Sequence, residues 1–135
     1  MAKLVHFSEA ASLALHAMVL IAKSKNYVNV NSIATEMGAS RNHLAKVLQQ
    51  LVKNNYLSSV RGPSGGFVLK KPADQISVLE IYEAIEGRIN VPECPLDRKI
   101  CPFDKCLMNG LVTDVTMQFK TYFQEHTLED FVTRS

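Results

Sequence analysis

The sequence predicts a mainly α domain that carries one small β wing and ends in a long helix. Three observations support this. Apolar residues recur at helical spacing in several capped segments. A single "GPSGG" turn separates two short β-prone runs. A polar stretch holding all three cysteines precedes the last long helical pattern. At 135 residues, 47% apolar and 21% charged, the chain has the size and composition of one domain with a real core.

The elements follow in order. Ser8 caps a first helix over Glu9 to Lys23, with Leu13, Ala14, Ala17, Met18 and Ile21 on one face. "NYVNVNS" reads as a short extended entry. Asn31 is expected to cap a helix from Ser32 to Met37, which Gly38 ends. Ser40 caps the next helix, whose apolar stripe is Leu44, Val47, Leu48 and Leu51. The runs Leu57–Arg61 and Phe67–Lys70 form the hairpin. Ser77 and Glu80 make a capping box for a helix ending near Gly87. "RINVPECPLDRKICPFD" is irregular by composition. A long helix is expected from about Asp104 to Gln124, with Leu107, Leu111, Val115, Phe119 and Tyr122 along it. Thr127 and Asp130 fit a last short capped turn. There is no internal repeat and no low-complexity tract.

Short helix, glycine turn, second helix, hairpin: this is the order of a winged helix-turn-helix, expected over residues 1–87. Residues 88–106 form the cysteine loop, and 104–135 the long helix and terminal cap. The charge is divided. Residues 1–71 hold nine Lys/Arg and two Asp/Glu, a net +7, against −5 for residues 72–135. A basic first half points to a polyanionic partner, double-stranded DNA, although a solvated surface has the same composition. The second helix presents Arg41, Asn42 and His43 in its first turn, then Lys46 and Gln49. Arg41, Asn42 and Gln49 carry the donors and acceptors for base edges, while Lys46 and Lys53 suit phosphates. Arg61 at the wing tip suits a minor groove. Its bland alternative is that Arg61 and Gly62 merely close a hairpin.

No apolar run approaches the roughly 20 residues of a membrane span. "MAKLVHFSEAAS" lacks the layout of a secretory signal, so a cytoplasmic protein is expected, with no membrane partner. In that compartment thiols read as metal ligands or redox groups before disulfides. Cys94, Cys101 and Cys106 leave four readings open. Inert buried thiols rarely cluster in a polar loop. An odd count argues against a structural disulfide. Zinc usually takes closer-spaced pairs and four protein ligands, against C-x₆-C-x₄-C here. An iron–sulfur cluster takes thiolates, and wide spacing lets a loop wrap a bulkier object. Pro95 and Pro102 hold the loop extended, and Cys106 is expected in the first turn of the long helix, where the dipole favours a thiolate. The spacing leans towards the cluster, with zinc as its rival. His6, His16, His43 and His126 have no i,i+4 partner and do not decide between them.

Taken together, these residues resemble the IscR/NsrR-type (Rrf) family of bacterial winged-helix transcription regulators over nearly the whole chain. "ALHAMVLIA" is similar to the family's first helix, and "SIATEMGASRNHLAKVLQQLVKNNYLSSVRGPSGGFVL" to its helix-turn-helix and wing. "SVLEIYEAIEG", "HTLEDFV" and the three-cysteine loop before a long helix also match. The resemblance implies a homodimer crossed through the long helix, which thereby becomes a dimerisation helix, bound to a partly palindromic operator. It implies Ser40 to His43 at the major groove, and Ser59, Arg61, Gly62, Ser64, Gly65 and Gly66 near the minor groove. It also implies a [2Fe-2S] or [4Fe-4S] cluster on Cys94, Cys101 and Cys106, sensing redox state, nitric oxide or iron–sulfur status.

The departures concern the fourth ligand. Some relatives place a histidine three residues after the last cysteine, where this chain has Asn109. Others take a carboxylate from the partner's first helix, at the position of Ser12, and Glu9 lies one turn earlier on the same face. Glu9 or Ser12 of the partner subunit is therefore the expected fourth ligand, with a small thiol or solvent as the other candidates. A cluster-free thiol-redox regulator, or one holding zinc, is the alternative on the same fold. An enzyme is not expected: there is no nucleophile–base pair, and "GPSGG" lies in a hairpin rather than at a helix start. A protein-binding adaptor would not depend on Arg41 or Arg61.

Overall fold

The structure is a computed structural model that describes residues 2–91, 102, 104–105 and 107–133. Helix α1 spans Glu9–Lys23 and is the centre of the fold. The Ser8 hydroxyl accepts from the Ala11 N–H at 3.0 Å, satisfying one of the helix's free donors. Ala11, Leu13, Ala14, Ala17, Met18 and Ile21 are buried, which is the stripe the spacing predicts plus Ala11. Helix α2 spans Val30–Met37 and α3 spans Arg41–Lys53, and Gly38 turns between them with φ 64°. Ser40 caps α3 by accepting from the His43 N–H at 3.3 Å.

The cap of α2 is Asn29, not Asn31. Asn29 Oδ1 accepts from the Ser32 N–H at 2.7 Å. The cause is tertiary. Val28 exchanges two backbone hydrogen bonds with Phe67, at 3.0 and 2.8 Å. The extended entry is pinned there and the chain turns into helix two residues early.

Strands β1 (Leu57–Val60) and β2 (Gly66–Leu69) form the antiparallel wing, in register from Leu57 opposite Leu69 to Val60 opposite Gly66. A 3₁₀ turn at Ala73–Gln75 leads to α4, Val78–Glu86, which starts with the expected Ser77–Glu80 capping box. The second Glu80 oxygen lies 3.5 Å from the Tyr56 hydroxyl. Burial first, and then this carboxylate, holds the Tyr56 hydroxyl above its ordinary pKa.

Helix α5 spans Leu111–Glu125, so the long helix begins seven residues later than the spacing suggests. Asn109 (φ 50°) and Gly110 (φ 80°) are both left-handed, a geometry that a right-handed helix cannot run through. The first turn of α5 is therefore Leu111–Asp114 and does not include Cys106, contrary to the expected helix-dipole placement of that thiol. Cys94, Cys101 and Cys106 themselves lie outside the described residues. Helix α6, Leu128–Thr133, returns to the core. The Val78 N–H donates to the His126 carbonyl and the Leu128 N–H to that of Ile76, bringing the chain's end onto the start of α4. Asp130 accepts from the Thr127 N–H at 3.0 Å, as the capping pattern predicts.

The core is one cluster. Met18, Ile21, Ile33, Leu44, Leu48, Leu51, Leu57, Ile76, Ile81 and Leu128 are its largest fully buried side chains. Each contributes about 1.5–3 kcal/mol of burial free energy. Helix α5 adds none of them. It lies along α4 through an aromatic cluster: Phe123 meets Tyr82 at 5.8 Å between ring centroids and Phe7 at 6.0 Å. Leu111, Val115 and Tyr122 share one exposed flank of α5, and Met117 is exposed elsewhere on the helix.

Candidate nucleic-acid interface

The buried stripe of α3 fixes which side faces out. With Leu44, Val47, Leu48 and Leu51 against the core, Arg41, Asn42, Lys46, Gln49 and Lys53 are exposed. His43 is half-buried, turned towards α1. On the wing, Leu57 points inward while Ser59 and Val60 are exposed. Arg61, Gly62, Pro63 and Ser64 form the exposed tip, closed by a 3.0 Å hydrogen bond from the Gly65 N–H to the Gly62 carbonyl. Gly66 has another task. It is half-buried at the start of β2, and a Cβ there would lie 2.5 Å from the Val28 carbonyl oxygen. Its missing side chain lets the wing meet the entry to α2.

Two contacts were invisible to sequence reasoning. The Arg41 Nε donates to Asn31 Oδ1 at 2.6 Å, joining the first turns of α3 and α2. Glu9 Oε1 lies 3.6 Å from His43 Nδ1, within ion-pair range when the imidazole is protonated. The first pair is ten residues apart and the second 34, beyond any pattern within one helix. The α2–α3 turn is the only hint, since it brings the two helix starts to one side.

Glu9 and Ser12 lie together on the wall of a groove of about 680 Å³. Leu15, Val19, Leu20, Met37, Val78, Leu128 and Phe131 make it apolar, and His16, Lys23 and Glu36 add polar groups. His16 Nδ1 is 2.6 Å from the Ser12 carbonyl oxygen. Asn109 is exposed just before α5. Among the described residues, no three His, Cys, Asp or Glu side chains converge on a metal position.

A helix-turn-helix with an exposed polar recognition face and a two-stranded wing defines a winged-helix DNA-binding transcription regulator. Residues 7–134 match the family model Rrf2, described as an iron-dependent transcriptional regulator. The chain belongs to the Rrf2 family. It is 31% identical over 123 residues to the HTH-type transcriptional regulator ORF2 of Azotobacter vinelandii, covering 91% of this chain and 71% of that protein. It is 31% identical over 105 residues to the HTH-type transcriptional regulator IscR of Cronobacter sakazakii, covering 78% of this chain and 65% of that one. The chain thus spans slightly less than two thirds of that IscR. The fold is also that of CymR, the global cysteine regulator of B. subtilis, with a TM-score of 0.82, 23% identity, and coverage of 98% of this chain and 99% of that one. These relatives regulate transcription and are not enzymes. No helix among the described residues is long and apolar enough to cross a membrane.

Proposed function

We propose that the chain acts as a cytoplasmic homodimer whose affinity for a partly palindromic operator is gated by an iron–sulfur cluster, [2Fe-2S] or [4Fe-4S]. Cys94, Cys101 and Cys106 supply three ligands and Glu9 or Ser12 of the partner subunit the fourth. The donor chemistry fits such a group: three thiols and a carboxylate, with the Glu9 side chain 70% exposed at the start of α1. When bound, the cluster supplies a centre that reacts with oxidants or nitric oxide and ties the cysteine loop to α1.

The observation that carries the gating is the approach of Glu9 to His43. The start of α1, where the fourth ligand is proposed, already reaches the recognition helix. A Glu9 carboxylate that held the cluster would be withdrawn from His43, and an unligated one would stay within reach of it. Ser40, Arg41, Asn42, His43 and Gln49 then face the major groove, Lys46 follows the phosphates, and the wing from Ser59 to Gly66 approaches the minor groove. Two such surfaces about one DNA turn apart make binding sensitive to their spacing. An exposed apolar flank of α5 supports the dimer: Leu111, Val115 and Tyr122 share it and stay exposed, although the Tyr122 ring stacks on His126 at 4.1 Å.

Purification without oxygen, a visible spectrum, and assays of iron and sulfide test the cofactor. Coloured protein containing both is expected. Colourless protein with stoichiometric zinc overturns it. The presence of Asn109 where some relatives have a histidine favours one second reading, a cluster-free thiol switch. Operator binding would then be lost with peroxide and restored with dithiothreitol, without any chromophore.

A further inference from the structure

We infer that Asn31 is a positioning residue for Arg41, and that the pair reads one guanine per operator half-site. The inference rests on the reading of the α3 first turn as facing DNA. Arg41 is the first residue of α3 and is exposed. An unrestrained arginine there would sample many rotamers and lose that freedom on binding. Here its Nε is already held by Asn31 Oδ1 at 2.6 Å. A guanidinium has five N–H donors in a fixed plane. Engaging Nε fixes that plane and leaves the terminal amino pair for end-on recognition. Two parallel donors match the O6 and N7 acceptors of guanine in the major groove.

Two details favour a dedicated role for Asn31. It is the second residue of α2 and does not cap it, since Asn29 does that, so its amide is available. Both helices are anchored in one core, α2 through the buried Ile33 and α3 through the buried Leu44. The choice of an amide is also apt. A carboxylate would hold the guanidinium but would set a negative charge beside the phosphates, while Asn31 leaves the full positive charge of Arg41 in place.

The test uses the full chain, isolated without oxygen, and a duplex it selects from a random pool. Wild type, Asn31→Ala, Arg41→Ala, the double variant and Asn31→Asp are titrated at several salt concentrations against that duplex. The same titrations use every single base-pair change of it. Arg41→Ala should abolish the preference for one G·C pair in each half-site, a loss of about 10- to 100-fold. Asn31→Ala should relax the same position by a smaller factor, about 3- to 10-fold, with an unchanged salt slope. The double variant should add nothing to Arg41→Ala. Asn31→Asp keeps the acceptor, so it should keep the preference while weakening all sequences alike. A uniform loss in Asn31→Ala with a salt slope smaller by about one would assign the pair to a phosphate and overturn the inference. So would an Asn31→Ala protein that discriminates like wild type. If Arg41→Ala changes neither affinity nor salt slope, the DNA-facing reading of the first turn fails with it.

Discussion

Glu80 illustrates how single side chains hold this fold. One carboxylate oxygen accepts from the Ser77 N–H at 2.8 Å and closes the capping box of α4. The other faces the Tyr56 hydroxyl at the foot of the wing. Burial and the negative charge of Glu80 both disfavour the tyrosinate, so the folded pKa of Tyr56 lies above that of the unfolded chain. The sign of the consequence follows. Above about pH 10 the unfolded state loses this proton first, so stability falls as pH rises towards the folded value. Tyr56→Phe should flatten the alkaline loss in urea unfolding between about pH 9 and 11. A residual slope should remain from Tyr82, which burial and Glu86 also raise. An identical pH profile in the variant would show that Tyr56 does not titrate with folding.

Among the elements, those with a strong period and a clear cap are legible in the sequence. Helix α1 matches its expected span, Ser40 and the Ser77–Glu80 box cap as the sequence says, and the wing brackets "GPSGG". The errors have physical causes. Asn29 and Asn31 are equally good caps by residue type, and the choice fell to the Val28–Phe67 hydrogen bonds, which join segments almost 40 residues apart. Leu107 extends the apolar stripe towards Asp104, but "NG" at Asn109–Gly110 is a turn signal that outweighs it. The exposed face of α3 was readable from its buried stripe, but the links from Asn31 to Arg41 and Glu9 to His43 are long-range. Gly66 belongs to this scale too. Gly66→Ala forces a Cβ against the Val28 carbonyl and should destabilise the domain by about 1–3 kcal/mol in urea unfolding. Wild-type stability in that variant would mean the wing and the entry to α2 part without cost.

At the scale of the whole molecule, the sequence divides the charge and the fold divides the packing. The basic first 71 residues supply the polar face of α3 and the wing, while the acidic remainder includes α5, none of whose residues is buried. A helix with one side on α4 and an exposed flank of Leu111, Val115 and Tyr122 is suited to a second copy of the chain. Charging that flank with Leu111→Glu and Val115→Glu should turn a dimer into a monomer in sedimentation velocity. Because neither residue enters the core, the thermal unfolding of each protomer should remain cooperative. A dimer that survives both changes would place the interface elsewhere. On the proposed function, dimer and gate act together, so that one operator is bound with two affinities set by the cluster. The most direct measurement is operator affinity in a single oxygen-free preparation, followed as iron and sulfide are removed stepwise. Affinity should change in proportion to cluster content and return on reconstitution. An affinity that stays constant from fully loaded to cluster-free protein would contradict the gating.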